Sequence, residues 1–141
     1  MKKITPTYIK KVLKLWSDLQ EEYRKQFPKN RITFPEPLQK RILIDCFDSS
    51  LVVDNNSSYD FVGNVELKSS CKKGGGCTPF KPTQNKCSRI LYIEIGKDYF
   101  DVYDLDKNDV ATINSLVSKS STPTNITLAD YKDNATKTPL I

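Results

Sequence analysis

Residues 57–70 read SSYDFVGNVELKSS, and the reading of the whole chain turns on how they pair. Tyr59–Val62 and Val65–Ser70 are two runs of strand formers around Gly63-Asn64, a dipeptide that tolerates positive φ and marks a tight turn. They predict a β-hairpin. Glu66 and Lys68 lie two apart on a strand and share a face, while Leu67 points to the other. The side taken by Asp60 depends on the loop. A two-residue loop pairs Asp60 with Leu67 and turns it away from Glu66. A three-residue loop at 62–64 sets Asp60 opposite Glu66, and one at 63–65 sets it opposite Lys68. The residues permit all three registers.

Outward from the hairpin, the chain alternates helical and strand patterns. Ile9, Val12, Leu13, Trp16, Leu19 and Tyr23 recur at helical spacing, which predicts an amphipathic helix over 5–26. Thr5 is its N-cap and Pro6 its first residue. Three prolines make 27–37 a connector. A second helix is expected from about Pro37 to Phe47, burying Leu38, Ile42, Leu43, Cys46 and Phe47. Residues 50–53 read as a short strand before the hairpin. RILYIEI at 89–95 is apolar on both faces, the pattern of a central strand, and 98–105 supplies its neighbour after a turn. Val110, Ile113, Leu116 and Val117 predict a third helix over 107–119. The Ser-, Thr- and Pro-rich stretch from 120 onward is expected to be irregular. The order describes one α/β (α+β) domain over 1–141, with a central mixed sheet flanked by helices. Residues 1–28 form its N-terminal helix, 30–105 its core, and 106–141 a C-terminal helix and tail.

The chain has 141 residues, 22 Lys and Arg against 17 Asp and Glu, and a net charge of +5. A basic balance favours a polyanionic partner such as nucleic acid. No apolar run is long enough to span a bilayer, and the lysine-rich start has no apolar segment of a signal peptide. A bacterial cytoplasmic location and no membrane partner are the expectation. Histidine is absent, which excludes Ser-His-Asp and Cys-His catalysis and His-ligated zinc. Cys46, Cys71, Cys77 and Cys87 are expected to be free thiols. A four-cysteine zinc site is the alternative, disfavoured because Cys71 and Cys77 lack knuckle spacing.

An acid, a second acid and a lysine on a hairpin most simply form a solvated face. If Asp60 and Glu66 share a partly buried face, they repel, and a hard divalent cation resolves the conflict. Mg²⁺ takes carboxylate and carbonyl oxygens and keeps several waters. The Leu67 carbonyl is then a natural third ligand, and Lys68 positions or activates a water. A phosphodiester uses all of these groups.

The pattern Asp60-x5-Glu66-x-Lys68 resembles the PD-(D/E)xK nuclease signature, with Tyr59-Asp60 standing where the family has Pro-Asp. The element order is similar to that family's αβββαβ core, although a loop replaces the helix between the third and fourth strands. FPEPLQKRILIDCF resembles its first core helix, which carries an acid that reaches the metal through water; Glu36 is that candidate. VELKSS, GGCTPFKP and SRILYIEI resemble the run after the catalytic strand in small type II restriction enzymes, including those that cut GCNGC-type sites. The resemblance implies a restriction-endonuclease-like fold and site-specific, Mg²⁺-dependent cleavage of double-stranded DNA. Asp60, Glu66, Lys68 and Glu36 would be catalytic, and Asp60, Glu66 and Leu67 the metal ligands. It also implies a companion DNA methyltransferase. Cutting both strands of a two-fold site calls for a homodimer.

Residues 71–89, CKKGGGCTPFKPTQNKCSR, carry five cations and three glycines. This is not a P-loop, because its signature is absent. It is expected to be a DNA-facing loop: Lys72, Lys73, Lys81, Lys86 and Arg89 for phosphates, Thr78, Gln84 and Asn85 for base edges. The alternatives are a PD-(D/E)xK enzyme of repair or junction cutting, and a non-catalytic nucleic-acid-binding module whose acids are exposed.

Overall fold

The computed structural model describes residues 2–71 and 77–141. Among the described residues there are three α-helices: α1 (Pro6–Gln26), α2 (Glu36–Cys46) and α3 (Lys107–Ser118). All three match the expected stretches to within a residue or so. The Thr5 side chain accepts the Tyr8 N–H and caps α1, and Asp106 caps α3 through the Asn108 N–H. The strands are β1 (Val65–Ser70), β2 (Cys77–Phe80), β3 (Arg89–Ile95), β4 (Phe100–Asp104), β5 (Thr124–Thr127) and β6 (Thr136–Pro139). Among the described residues no helix is long and apolar enough to cross a membrane.

The main sheet is mixed and four-stranded, in the order β1-β3-β4-β6. β3 is central, parallel to β1 and antiparallel to β4. Its two apolar faces explain its position. Leu91, Ile93 and Ile95 pack with Leu67, Val102, α1 (Ile9, Leu13) and α2 (Ile42, Leu43). Ile90 and Tyr92 pack the other way, with Tyr103, α3 (Val110, Ile113, Val117), Phe80 and Ile126. The sheet is thus sandwiched between α1 and α2 on one side and α3 with the β2-β5 ribbon on the other.

Three expectations are corrected. The segments at 50–53 and 59–62 are not full strands: they meet only in the single bridges Val53↔Phe61 and Phe61↔Val65. Asp54 interrupts them, its carboxylate accepting the Asn56 N–H and the Ser57 hydroxyl, which winds the chain into a turn. Residues 71–89 are more than a loop, since β2 and a 3-10 turn (Pro82–Gln84) lie within them. The tail is more than irregular. It holds β5, a 3-10 segment (Leu128–Asn134) and β6, so it completes both sheets.

The loop at 62–64 sets the register of the site. Phe61 and Val65 exchange both backbone hydrogen bonds, at 3.0 and 3.3 Å, so three residues close the hairpin and Asp60 comes opposite Glu66. Gly63 and Asn64 have φ of 88° and 61°. The Asn64 carbonyl accepts the Ser88 N–H at 2.9 Å, tying this loop to the entry of β3. Gly63→Ala places a Cβ in a left-handed conformation that L side chains rarely adopt. The space around it is open, so the expected loss is backbone strain alone, about 1–2 kcal/mol. Urea denaturation checks this; no change in midpoint would show that the loop adopts another turn.

Candidate active site

Three elements converge on one cleft of about 490 Å³, which runs from the start of α2 across β1 to β2 and the Pro82–Gln84 turn. Glu36 opens α2, favoured there by the helix dipole. Asp60 precedes the hairpin loop, Glu66 and Lys68 project from β1, and all four line the cleft.

The acids do not form a solvated edge. Glu66 is 2% exposed, and the Asp60 side chain is 12% exposed. Asp60 Oδ2 accepts the Leu67 N–H at 2.8 Å. β1 is the edge strand of its sheet. In a strand, a residue's N–H and C=O point to the same side. The Leu67 carbonyl therefore faces the open edge on which Asp60 sits. Lys68 is held firmly. Its ammonium donates to the Pro79 carbonyl at 2.8 Å, lies 3.6 Å from Glu66 Oε1, and rests 4.5 Å from the centre of the Phe80 ring.

The carboxyl pair titrates in opposite directions. Burial pushes Glu66 up, the neighbouring Asp60 pushes it further, and Lys68 only partly opposes them; the result is about 9. Burial also works against the Asp60 charge. The protonated Glu66 carboxyl, the Leu67 N–H and the Lys40 ammonium outweigh it and hold Asp60 below its ordinary value. At neutral pH the pair shares one proton and carries a single charge. Glu66 Oε2 is buried and has no hydrogen-bond partner.

Lys40, which sequence reasoning missed, completes this arrangement. It lies one turn after Glu36 on α2, 3.3 Å from Glu36 Oε1 and 3.2 Å from Asp60 Oδ1. Burial opposes its charge, but the two acids prevail and raise its pKa above that of an ordinary lysine. The Glu36-x3-Lys40 spacing was the available signal, an i,i+4 pair on one helix face. Replacing Lys40 with Met should leave Asp60 uncompensated and destabilise the protein by about 1–2 kcal/mol. It should also enlarge the rise in melting temperature on adding Mg²⁺, since a competing cation is gone. Differential scanning fluorimetry with and without Mg²⁺ reads both; an unchanged Mg²⁺ effect would show that Lys40 does not compete at this site.

The donor set suits a hard divalent cation: two carboxyl groups, a backbone carbonyl on the same edge, and an unpartnered buried carboxyl oxygen. Among the described residues no group of three or more His, Cys, Asp or Glu side chains could hold a metal ion. Glu36 is engaged by Lys40 and is the outermost of the acids, with 61% of its side chain exposed. The fit is therefore to a cation that takes few protein ligands and keeps its waters, as Mg²⁺ does. The four cysteines do not gather. Cys46 and Cys71 pack on the α1/α2 side, Cys87 on the α3 side, and Cys77 is exposed on β2; all are free.

The residues singled out for DNA contact divide into three groups. Lys72 and Lys73 lie outside the described residues. Thr78, Gln84 and Arg89 are committed to the fold. The Thr78 hydroxyl donates to the Ile126 carbonyl at 3.2 Å. Gln84 is buried, accepts the Lys81 N–H and donates to the Ser58 carbonyl. Arg89 is paired with Asp48 and Asp104. These placements explain how 77–89 holds its shape rather than how it reads bases. Lys81 and Lys86 are exposed and Asn85 half-buried, and Lys81 stands at the cleft.

No protein-family model, curated protein or solved structure matches the chain.

Proposed function

We propose that the protein is a Mg²⁺-dependent endonuclease of the restriction type, hydrolysing phosphodiester bonds in double-stranded DNA. The observation that carries this reading is the buried Asp60–Glu66 pair, set face to face by the three-residue loop, with Lys68 on the Glu66 face at the floor of a cleft. Buried acids facing each other destabilise a protein unless they serve a ligand. The order of α2, two short bridged segments, β1, a crossover and β3 is in keeping with a PD-(D/E)xK core, with β2 and a 3-10 turn in place of a helix.

A bound Mg²⁺ would neutralise charge on the scissile phosphate and lower the pKa of a water. Asp60, Glu66 and the Leu67 carbonyl are the residues that would hold it. Lys68, fixed by Pro79 and by the Phe80 ring, orients the attacking water and stabilises charge developing on the phosphate. Glu36 lines the cleft with most of its side chain exposed, and it would assist through a water. Lys81 and Lys86 supply cations for the DNA backbone. Two-strand cleavage calls for two copies of the chain, and protection of the host's own DNA calls for a companion methyltransferase.

Digestion of varied unmethylated double-stranded DNAs, with Mg²⁺ or with EDTA, tests the reading. Discrete fragments that require Mg²⁺ are expected. A smear would keep the nuclease and remove its sequence specificity. Persistent lack of cleavage, with DNA still bound, would favour a binding module.

A further inference from the structure

The helix α1 carries more apolar surface than the domain covers. Ile9 and Leu13 are fully buried against the sheet. The Trp16 indole N–H donates to the Ile32 carbonyl, and Gln20 accepts the Ile32 N–H, so this side of the helix is packed on the fold. A second stripe, Tyr8, Val12, Leu15, Leu19 and Tyr23, runs alongside it at spacings of four, three, four and four residues. Tyr8, Leu15 and Leu19 face outward, 47%, 60% and 55% exposed, while Val12 between them is partly buried against the core. Phe27, 51% exposed, extends the stripe by stacking 5.0 Å from the Tyr23 ring. Isolated exposed apolar residues are ordinary, but a continuous stripe about 22 Å long on one helix marks a contact surface. The helix α3 has no such surplus. Val110, Ile113 and Val117 are buried, and Leu116 is its one exposed large apolar residue.

The charges beside the stripe indicate what covers it. On the polar flank the stripe is bordered by Lys11 in the first half of α1 and by Asp18 and Glu22 in the second. Glu22 is also paired with Lys25 of the basic last turn at 2.6 Å, but along this flank a cation in the first half and two anions in the second are complementary to themselves when the helix is reversed. We propose that the exposed stripe of α1 is the interface of a two-fold homodimer, in which α1 packs antiparallel on α1 of a second copy. Leu15 then meets its own copy near the axis, and Tyr8 and Val12 meet Tyr23 and Leu19. Each Lys11 falls between Asp18 and Glu22 of the other chain, twice per interface. A parallel pair would instead turn the Lys11 flank of one helix toward the opposite flank of the other, which carries Trp16 and Gln20 and is packed on its own domain. The two-fold arrangement closes on itself and leaves no unpaired patch. A single helix pair is small for a stable interface, so a dissociation constant in roughly the micromolar range is expected. The inference stands without the nuclease reading; with it, the dimer supplies the second cutting centre.

Sedimentation equilibrium on the full chain tests it. Wild-type protein is expected to dimerise, and Leu15→Lys to be monomeric with an unchanged circular dichroism spectrum. Lys11→Glu and the double variant Asp18→Lys/Glu22→Lys should each weaken association by on the order of tenfold or more. An equimolar mixture of those two should regain wild-type affinity as a heterodimer, because every reversed charge meets an opposite one. These positions are exposed, so this exchange decides the matter even if Leu15→Lys fails to fold. A monomeric wild type at about 100 μM overturns the proposal. So does failure of the mixture to associate, or binding of the monomer to anionic lipid vesicles through the same stripe.

Discussion

Replacing Glu66 with Gln should make the protein more stable and inactive. Burial, and then the adjacent Asp60, raise the Glu66 carboxyl from an ordinary 4.5 to about 9. The folded state therefore binds a proton that the unfolded chain releases. Raising an acid's folded pKa destabilises the fold as pH rises: the penalty is absent below about 4.5, grows through neutrality, and is complete above about 9. Gln is the neutral isostere, and it removes that penalty. The gain should be near zero at about pH 4 and reach roughly 1–3 kcal/mol at about pH 8, several degrees in melting temperature. Cleavage should fall by on the order of 10³-fold or more, because a carboxylate of the proposed Mg²⁺ site is gone. DNA binding should persist. Thermal melts across pH and single-turnover cleavage measure the two halves separately. Equal stability at all pH values would show that the Glu66 carboxyl is solvated, and retained Mg²⁺-dependent cleavage would remove it from the site.

Arg89→Met should be the most destabilising of the polar substitutions. The guanidinium donates to Asp48 at 2.7 Å and to Asp104 at 2.8 Å, and it lies 5.7 Å from the Phe47 ring centre. It thereby ties the end of α2 to the start of β3 and the end of β4. Methionine keeps much of the apolar stem but leaves two half-buried aspartates unpaired. The expected loss is about 2–4 kcal/mol, the lower end applying because the cluster is partly solvated. Arg89 and the Ser50 hydroxyl and N–H draw the Asp48 pKa down from 3.8 to about 2. A depressed acid stabilises the fold fully above its unfolded value, and the contribution is lost as pH falls from about 4 to about 2. In Arg89→Met this acid limb should flatten. A change below about 0.5 kcal/mol in denaturant midpoints would show instead that Arg89 is free to leave the fold.

The legible parts of the fold were those whose signal is local. α1, α2 and α3 announce themselves by apolar spacing and caps. β3 does so by being apolar on both faces, and its central place follows. The parts that were missed depend on distant partners. β2 is four residues, CTPF, and it exists because it pairs with TNIT some fifty residues later. Neither segment carries an apolar alternation of its own. Hydroxyl-rich β5 and β6 read as a tail for the same reason. The site was legible as residue types but not as a register. Asp60, Glu66 and Lys68 were visible in the quoted stretch, yet only the Phe61–Val65 pairing decides that the acids face each other. Lys40 was hidden because its second partner, Asp60, comes from a different element. Arg89, Thr78 and Gln84 looked like DNA contacts because a polar residue in a basic loop does not reveal whether its partner is a phosphate or the protein.

The central claim is that Asp60 and Glu66 form a cation site that cuts DNA. The most direct measurement compares wild-type protein and Asp60→Asn, purified in parallel, on one unmethylated DNA under Mg²⁺ and under EDTA. Fragments should form with wild-type protein and Mg²⁺ alone, while both proteins retard the DNA equally in a Ca²⁺ gel-shift assay. Cleavage by Asp60→Asn at the wild-type rate would contradict the account and return the hairpin to a structural role.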